Sequence, residues 1–195
     1  MLLVSLSVHE AAHAWTADRL GDPTARLQGR ITLNPMAHID WIGTVLFPLV
    51  AIYSNVPLLG WAKPVPVNWE NLKSPRRDFA LVAAAGPASN LILATIGAAI
   101  LGLGAGMLSY RAFDLVGRFV LLNALLAVFN MIPVPPLDGG NVAAGLLPLP
   151  IARLIDQVRP YGFLILYALL FTGVLGDYVF PIALTIVRFL VSVFS

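Results

Sequence analysis

From Met1 to about Leu20 the chain is apolar, yet the middle of that run reads His9-Glu10-Ala11-Ala12-His13. Two imidazoles and a carboxylate in a helix that belongs in a membrane each cost roughly a few kcal/mol unless they face a polar or metal-filled interior. Residues four apart share one helix face, so His9 and His13 can direct two ring nitrogens at one ion, while Glu10 points about 100° away. The spacing suits a tetrahedral zinc, which normally takes three protein ligands and leaves a fourth position for water. Glu10 is then the base beside that water.

Composition sets the surroundings of this motif. Of 195 residues, 58% are hydrophobic and 11% charged, whereas a soluble domain carries about a quarter charged residues. The chain reads as an all-α polytopic membrane protein, with residues 1–195 forming one domain. Apolar runs at 1–20, 41–59, 79–108, 113–132, 161–176 and 178–194 predict five to six transmembrane or re-entrant helices. With no cysteine, disulfides and thiolate zinc sites are excluded, and His, Asp and Glu remain as ligands. The formal charge of +2 says little, and no nucleic-acid partner is expected. The first segment lacks the basic start and cleavage site of a signal peptide. Because only eight residues precede His9, the true start is expected upstream.

Between the apolar runs, Arg26 to Leu33 and Trp61 to Asn68 alternate as short strands at the membrane surface, the second confined to an edge by Pro64 and Pro66. They flank segment 41–59, which has Arg19, Arg26 and Arg30 on one side and Lys63, Lys73, Arg76 and Arg77 on the other. A simple crossing would place one basic loop outside, against the usual charge bias. Gly43 and Pro48 also interrupt the run, which favours a re-entrant dip over an ordinary span. In segment 79–108, Ala83, Asn90, Gly97 and Gly104 recur every seven residues as a stripe for close helix approach. There Asn90 is either an amide gluing helices together or one lining the active site.

Helix 113–132 carries Asn123 and Asn130 on one face and then meets Pro133, Pro135, Pro136, Gly139 and Gly140, which force an irregular backbone. Such backbone is tolerated at membrane depth only inside protein or beside a wet cavity. Asp138 projects from it. If Arg19 marks the cytoplasmic end of the first helix, helix 79–108 leads outward and 113–132 returns, so Asp138 and His13 share a depth. Asp18, Asp22, Asp40, Glu70 and Asp78 sit in surface loops or at helix ends, and His38 is a structural residue of the polar surface region. Asp138 is therefore the expected third ligand, although a turn or cap aspartate ahead of a helix starting near Asn141 reads the same way.

Three motifs in order, His9-Glu10-Ala11-Ala12-His13, Gly86-Pro87-Ala88-Ser89-Asn90 and Asn130-Met131-Ile132-Pro133 leading to Leu137-Asp138-Gly139-Gly140, give the chain its likeness. It resembles the site-2 proteases, zinc metalloproteases that cut transmembrane segments within the bilayer, and looks most like their compact prokaryotic members without a PDZ domain. The resemblance implies one Zn2+ per chain on His9, His13 and Asp138, with Glu10 activating water. It further implies that Asn130, and less directly Asn90, contact the substrate backbone or the oxyanion. Members usually have more membrane sequence before the histidine motif than this chain does.

The expected partners are the lipid bilayer and a transmembrane protein or peptide, and the expected location is a prokaryotic inner membrane with the site opening to the cytoplasm. Two other functions fit parts of the pattern: a membrane metal transporter, and a catalytically idle relative that binds membrane helices. A transporter would carry several ligand sets along a pore, whereas this chain has one set with a base beside it.

Overall fold

The computed structural model describes residues 1–54, 60–104 and 106–195. Among them are helices and no strand: α1 (Leu2–Arg19), the single turn α2 (Thr24–Leu27), α3 (Phe47–Ser54), α4 (Pro75–Leu103), α5 (Tyr110–Asn130), α6 (Asp138–Leu146), α7 (Leu149–Val158), α8 (Gly162–Phe171) and α9 (Val174–Phe194). A π-helical turn, Trp41–Leu46, leads into α3. Helices α4, α5 and α9, and the stretch Leu149–Phe171 that contains α7 and α8, are each long and apolar enough to cross a membrane. Their outward side chains, such as Ile92, Ile96, Leu103, Phe113 and Phe189, are exposed. Apolar surface on that scale belongs against lipid, and the chain is an integral membrane protein.

Helix α4 is the centre of the bundle and packs against α1, α5, α6 and α9. Pro75 opens it at a position where a missing N–H costs nothing, and the Asp78 carboxylate accepts the Ser74 N–H at 2.7 Å. Its faces toward other helices are small: Ala83, Ala94 and Ala98 are buried, and a methyl group on Gly97 would strike Val120 of α5. Such residues let backbones approach where lipid supplies no hydrophobic drive between helices. At the other end of the membrane core, Ala98, Leu101 and Val120 pack beneath Val187, Val191 and Phe194 of α9.

The two expected strands are absent from the described residues. Over 24–33 the chain makes a helical turn and then runs irregularly, because the Asp22 carboxylate accepts from the backbone and hydroxyl of Thr24 and so starts α2. Trp61 to Asn68 is irregular too. Its polar backbone is satisfied by scattered partners instead of a ladder: Lys63 N–H donates to His38 O at 2.9 Å, Asn68 N–H to Asp22 at 2.7 Å, and Lys63 O accepts from Arg30 at 2.5 Å. Pro64 and Pro66 have no N–H to offer a neighbouring strand.

Segment 41–59 is helical over 41–54, and its end, 55–59, lies outside the described residues. Trp61 N–H donates to Gly43 O at 3.2 Å and the Thr44 hydroxyl donates to Trp61 O at 2.8 Å. The chain after the segment thus returns beside its own beginning. The helix expected near Asn141 begins at Asp138, and the last two apolar runs appear as α8 and α9.

Candidate metal centre

Helix α1 stacks His9 and His13 one turn apart, and both are buried. Their Nε2 atoms face each other at 3.0 Å. Asp138, the first residue of α6, reaches them from the opposite side: Oδ2 lies 3.1 Å from His9 Nε2 and Oδ1 lies 3.4 Å from His13 Nε2. These three residues form the cluster with metal-ligand geometry among the described residues, their ligand atoms within 4.8 Å of one another.

Backbone shape brings Asp138 here. After α5 the proline-rich chain folds tightly, with Val134 N–H donating to Ile132 O and Leu137 N–H to Val134 O. Gly139 and Gly140 then let α6 start against that chain, since a side chain at Gly139 would run into the Met131 backbone and one at Gly140 into Pro135. The far end of α6 is held from α4 by Arg76, whose guanidinium donates to the carbonyls of Ala144 and Leu147. Helix α4 leaves room for the histidines at Gly86, where any Cβ would overlap both imidazoles.

Hydrogen bonds decide which nitrogens are free. His13 Nδ1 lies 2.7 Å from the carbonyl of Val82, which only accepts, so Nδ1 carries a proton and Nε2 is the nitrogen turned toward the cluster. His9 Nδ1 lies 2.7 Å from the amide oxygen of Asn90, with the same result. Two ring nitrogens and a carboxylate therefore converge on one point, and Asp138 Oδ2 is buried with no hydrogen-bond partner. Groups of this kind held so close together need a cation or a proton between them. The donor set fits zinc, and each histidine has the outer hydrogen bond that orients a metal ligand.

The site opens into a cavity of about 590 Å³. Glu10 lines it beside the two histidines and Asp138, as do Asn130 and the irregular wall of Trp61, Pro64, Val65 and Val67. Asn130 donates to Leu126 O one turn back on α5 at 2.9 Å. Asn90 is elsewhere: it is fully buried behind His9 and outside the cavity lining. His38 lies away from the cluster, with Nε2 2.8 Å from Thr32 O. Three participants escape sequence reasoning: the Val82 carbonyl, and behind His9 the Ser5 carbonyl and Asn123, both of which accept from the Asn90 amide. The first two are backbone atoms and leave no residue signature. Asn123, fully buried, is marked only by its seven-residue spacing from Asn130.

The comparisons with known proteins agree with this centre. The chain is 43% identical over 185 residues to "Putative zinc metalloprotease YwhC" of Bacillus subtilis, covering 91% of this chain and 81% of that protein. It is 31% identical over 187 residues to "Putative zinc metalloprotease Rip2" of Mycolicibacterium smegmatis, covering 92% of this chain and 68% of the relative. No family model and no solved structure matches the chain. By its identity to these relatives and by its three motifs, the chain belongs to their family of zinc metalloproteases, the compact site-2 protease type.

Proposed function

We propose that the protein is a zinc-dependent intramembrane endopeptidase, hydrolysing peptide bonds within or near transmembrane segments, with residues 1–195 as one catalytic domain. The observation that carries this reading is the convergence of His9, His13 and Asp138 on a cavity that also holds Glu10, inside a bundle of membrane helices. His9 and His13 through Nε2, and Asp138 through its carboxylate, would hold the ion. Zinc, when bound, supplies a Lewis acid and makes water acidic enough to deprotonate near neutral pH.

The protein's own residues do the rest. Glu10 takes a proton from the attacking water and passes it to the leaving amine, so the base becomes the acid of the second step. Asn130 lines the cavity close to the metal ligands and is the amide donor for the substrate carbonyl or oxyanion. Asn90, buried behind His9, positions that ligand and does not touch substrate. The wall from Gly60 to Val67 holds an extended peptide across the cavity, since a helical peptide bond is shielded by its own hydrogen bonds.

The bonds between Trp61 and residues 43 and 44 support a dip of segment 41–59 into the membrane with its basic flanks on one side. With basic flanks cytoplasmic, the cavity faces the cytoplasm of a prokaryotic inner membrane. Transport is less well supported, because the described residues hold one ligand cluster and not a series along a pore. Reconstitution in liposomes with a single-span substrate decides the matter. Mass spectrometry should find products cut within or next to the span, without zinc entering the vesicles. Zinc uptake with the substrate intact would establish the transporter instead.

A further inference from the structure

We propose that Asn123, on α5 and remote from the cavity, is a positioning residue that sets the ring tautomer of the metal ligand His9. The inference rests on the zinc reading above for its consequence, but its physical basis is a one-way chain of hydrogen bonds. Asn123 Nδ2 donates to the carbonyl of Phe119 at 2.9 Å, and Asn123 Oδ1 accepts from Asn90 Nδ2 at 3.0 Å. Asn90 Nδ2 also reaches the carbonyl of Ser5 at 3.4 Å, and Asn90 Oδ1 meets His9 Nδ1 at 2.7 Å. Asn90 and Asn123 are both fully buried, so no solvent competes for these groups.

The direction of the chain is fixed at its far end. A backbone carbonyl cannot donate, so Phe119 compels Asn123 to turn its NH2 toward α5 and its oxygen toward Asn90. That oxygen compels Asn90 to turn its own NH2 toward Asn123, which leaves Asn90 Oδ1 for His9. His9 must then donate from Nδ1, which leaves Nε2 as the nitrogen that faces the ion. Reversing either amide would set oxygen against oxygen in a buried place, at about 1–3 kcal/mol for each unsatisfied group.

Without Asn123, the NH2 of Asn90 keeps only the long bond to Ser5. The amide is then free to turn over, offer its NH2 to His9 and draw the proton to Nε2, where it blocks the metal. Helix α5 also carries Asn130 and leads to Asp138, so one helix would supply the substrate amide, lead into the third ligand and set the state of the first.

The test uses the full chain in detergent. In metal-free wild type, 15N chemical shifts of the His9 ring should show Nδ1 protonated at pH 8. Asn123→Leu should give a mixture of tautomers and weaken zinc binding about 10–100-fold in competition with a chelator, the usual effect of losing an outer partner. Asn123→Asp, neutral in so buried a place, can donate its O–H to Phe119 O and keep an acceptor for Asn90, and should bind zinc within about threefold of wild type. His9 Nδ1 without a proton in the metal-free wild type overturns the proposal without any variant, and so does Asn123→Leu with unchanged tautomer and affinity. If wild type binds no zinc yet shows the stated tautomer, the relay stands and the metal reading fails.

Discussion

Gly86 of α4 lies flush against the imidazole of His13, leaving no space for even a methyl group. The contact ties the position of a membrane-spanning helix to the geometry of a metal ligand. Gly86→Ala must push the ring or the helix aside, an overpacking that costs about 1–3 kcal/mol. Zinc affinity should fall at least about tenfold, while Gly117→Ala, which meets open space on α5, should leave it unchanged. Chelator competition on both purified variants measures this, and equal affinities would show that the close contact does not constrain the ligands.

Arg30 is buried, and its guanidinium donates to the carbonyls of Lys63 and Pro64 in the wall that borders the cavity. Arg30→Ala removes the support of that wall but no metal contact. The expected outcome is a KM for a transmembrane substrate raised at least about tenfold at unchanged zinc content. A normal KM would remove the Gly60–Val67 wall from the account of substrate binding.

Asp22 is fully buried in the surface region and ties α2 to the chain ahead of α4. Burial alone would raise its pKa, but bonds from the Asn71 amide, the Thr24 hydroxyl and the Asn68 and Thr24 N–H groups outweigh it and hold the carboxyl below its ordinary value. A lowered folded pKa means that the stabilisation is complete above the unfolded value, about 4, and is lost as pH falls through the folded one. Wild type should therefore lose thermal stability on acidification below about pH 4. Asp22→Asn should be about 1–3 kcal/mol less stable at pH 7 and show a shallower acid loss. Parallel acid limbs in the two proteins would assign the loss to other carboxylates.

What could be read from residues alone follows from how each feature is encoded. The four-residue spacing of His9 and His13 becomes shared geometry as soon as a helix forms, and Asp138 is singled out by the proline- and glycine-rich segment it projects from and by the order of the helices. The small-residue stripe through Ala83, Asn90 and Gly97 is likewise buried as its period requires. Alternation at Arg26 to Leu33 and Trp61 to Asn68 misleads, because the first stretch bonds locally, Gly29 N–H to Arg26 O and Arg30 N–H to Ala25 O, and Asp22 and Arg30 satisfy from afar the backbone groups of the second. Helix α7 is short and amphipathic and falls below the length at which an apolar run stands out. The place of Asn90 behind His9 depends on rotation of α4 against α1, which no local pattern records.

The most direct test compares wild type with Glu10→Gln, measuring zinc content and cleavage of a transmembrane substrate in the same samples. Glu10 lines the cavity next to His9 but is outside the ligand cluster. The variant should keep one zinc per chain and lose cleavage by about 100-fold to 10,000-fold, the usual contribution of a general base. Cleavage near the wild-type rate at full zinc occupancy would contradict the proposed chemistry.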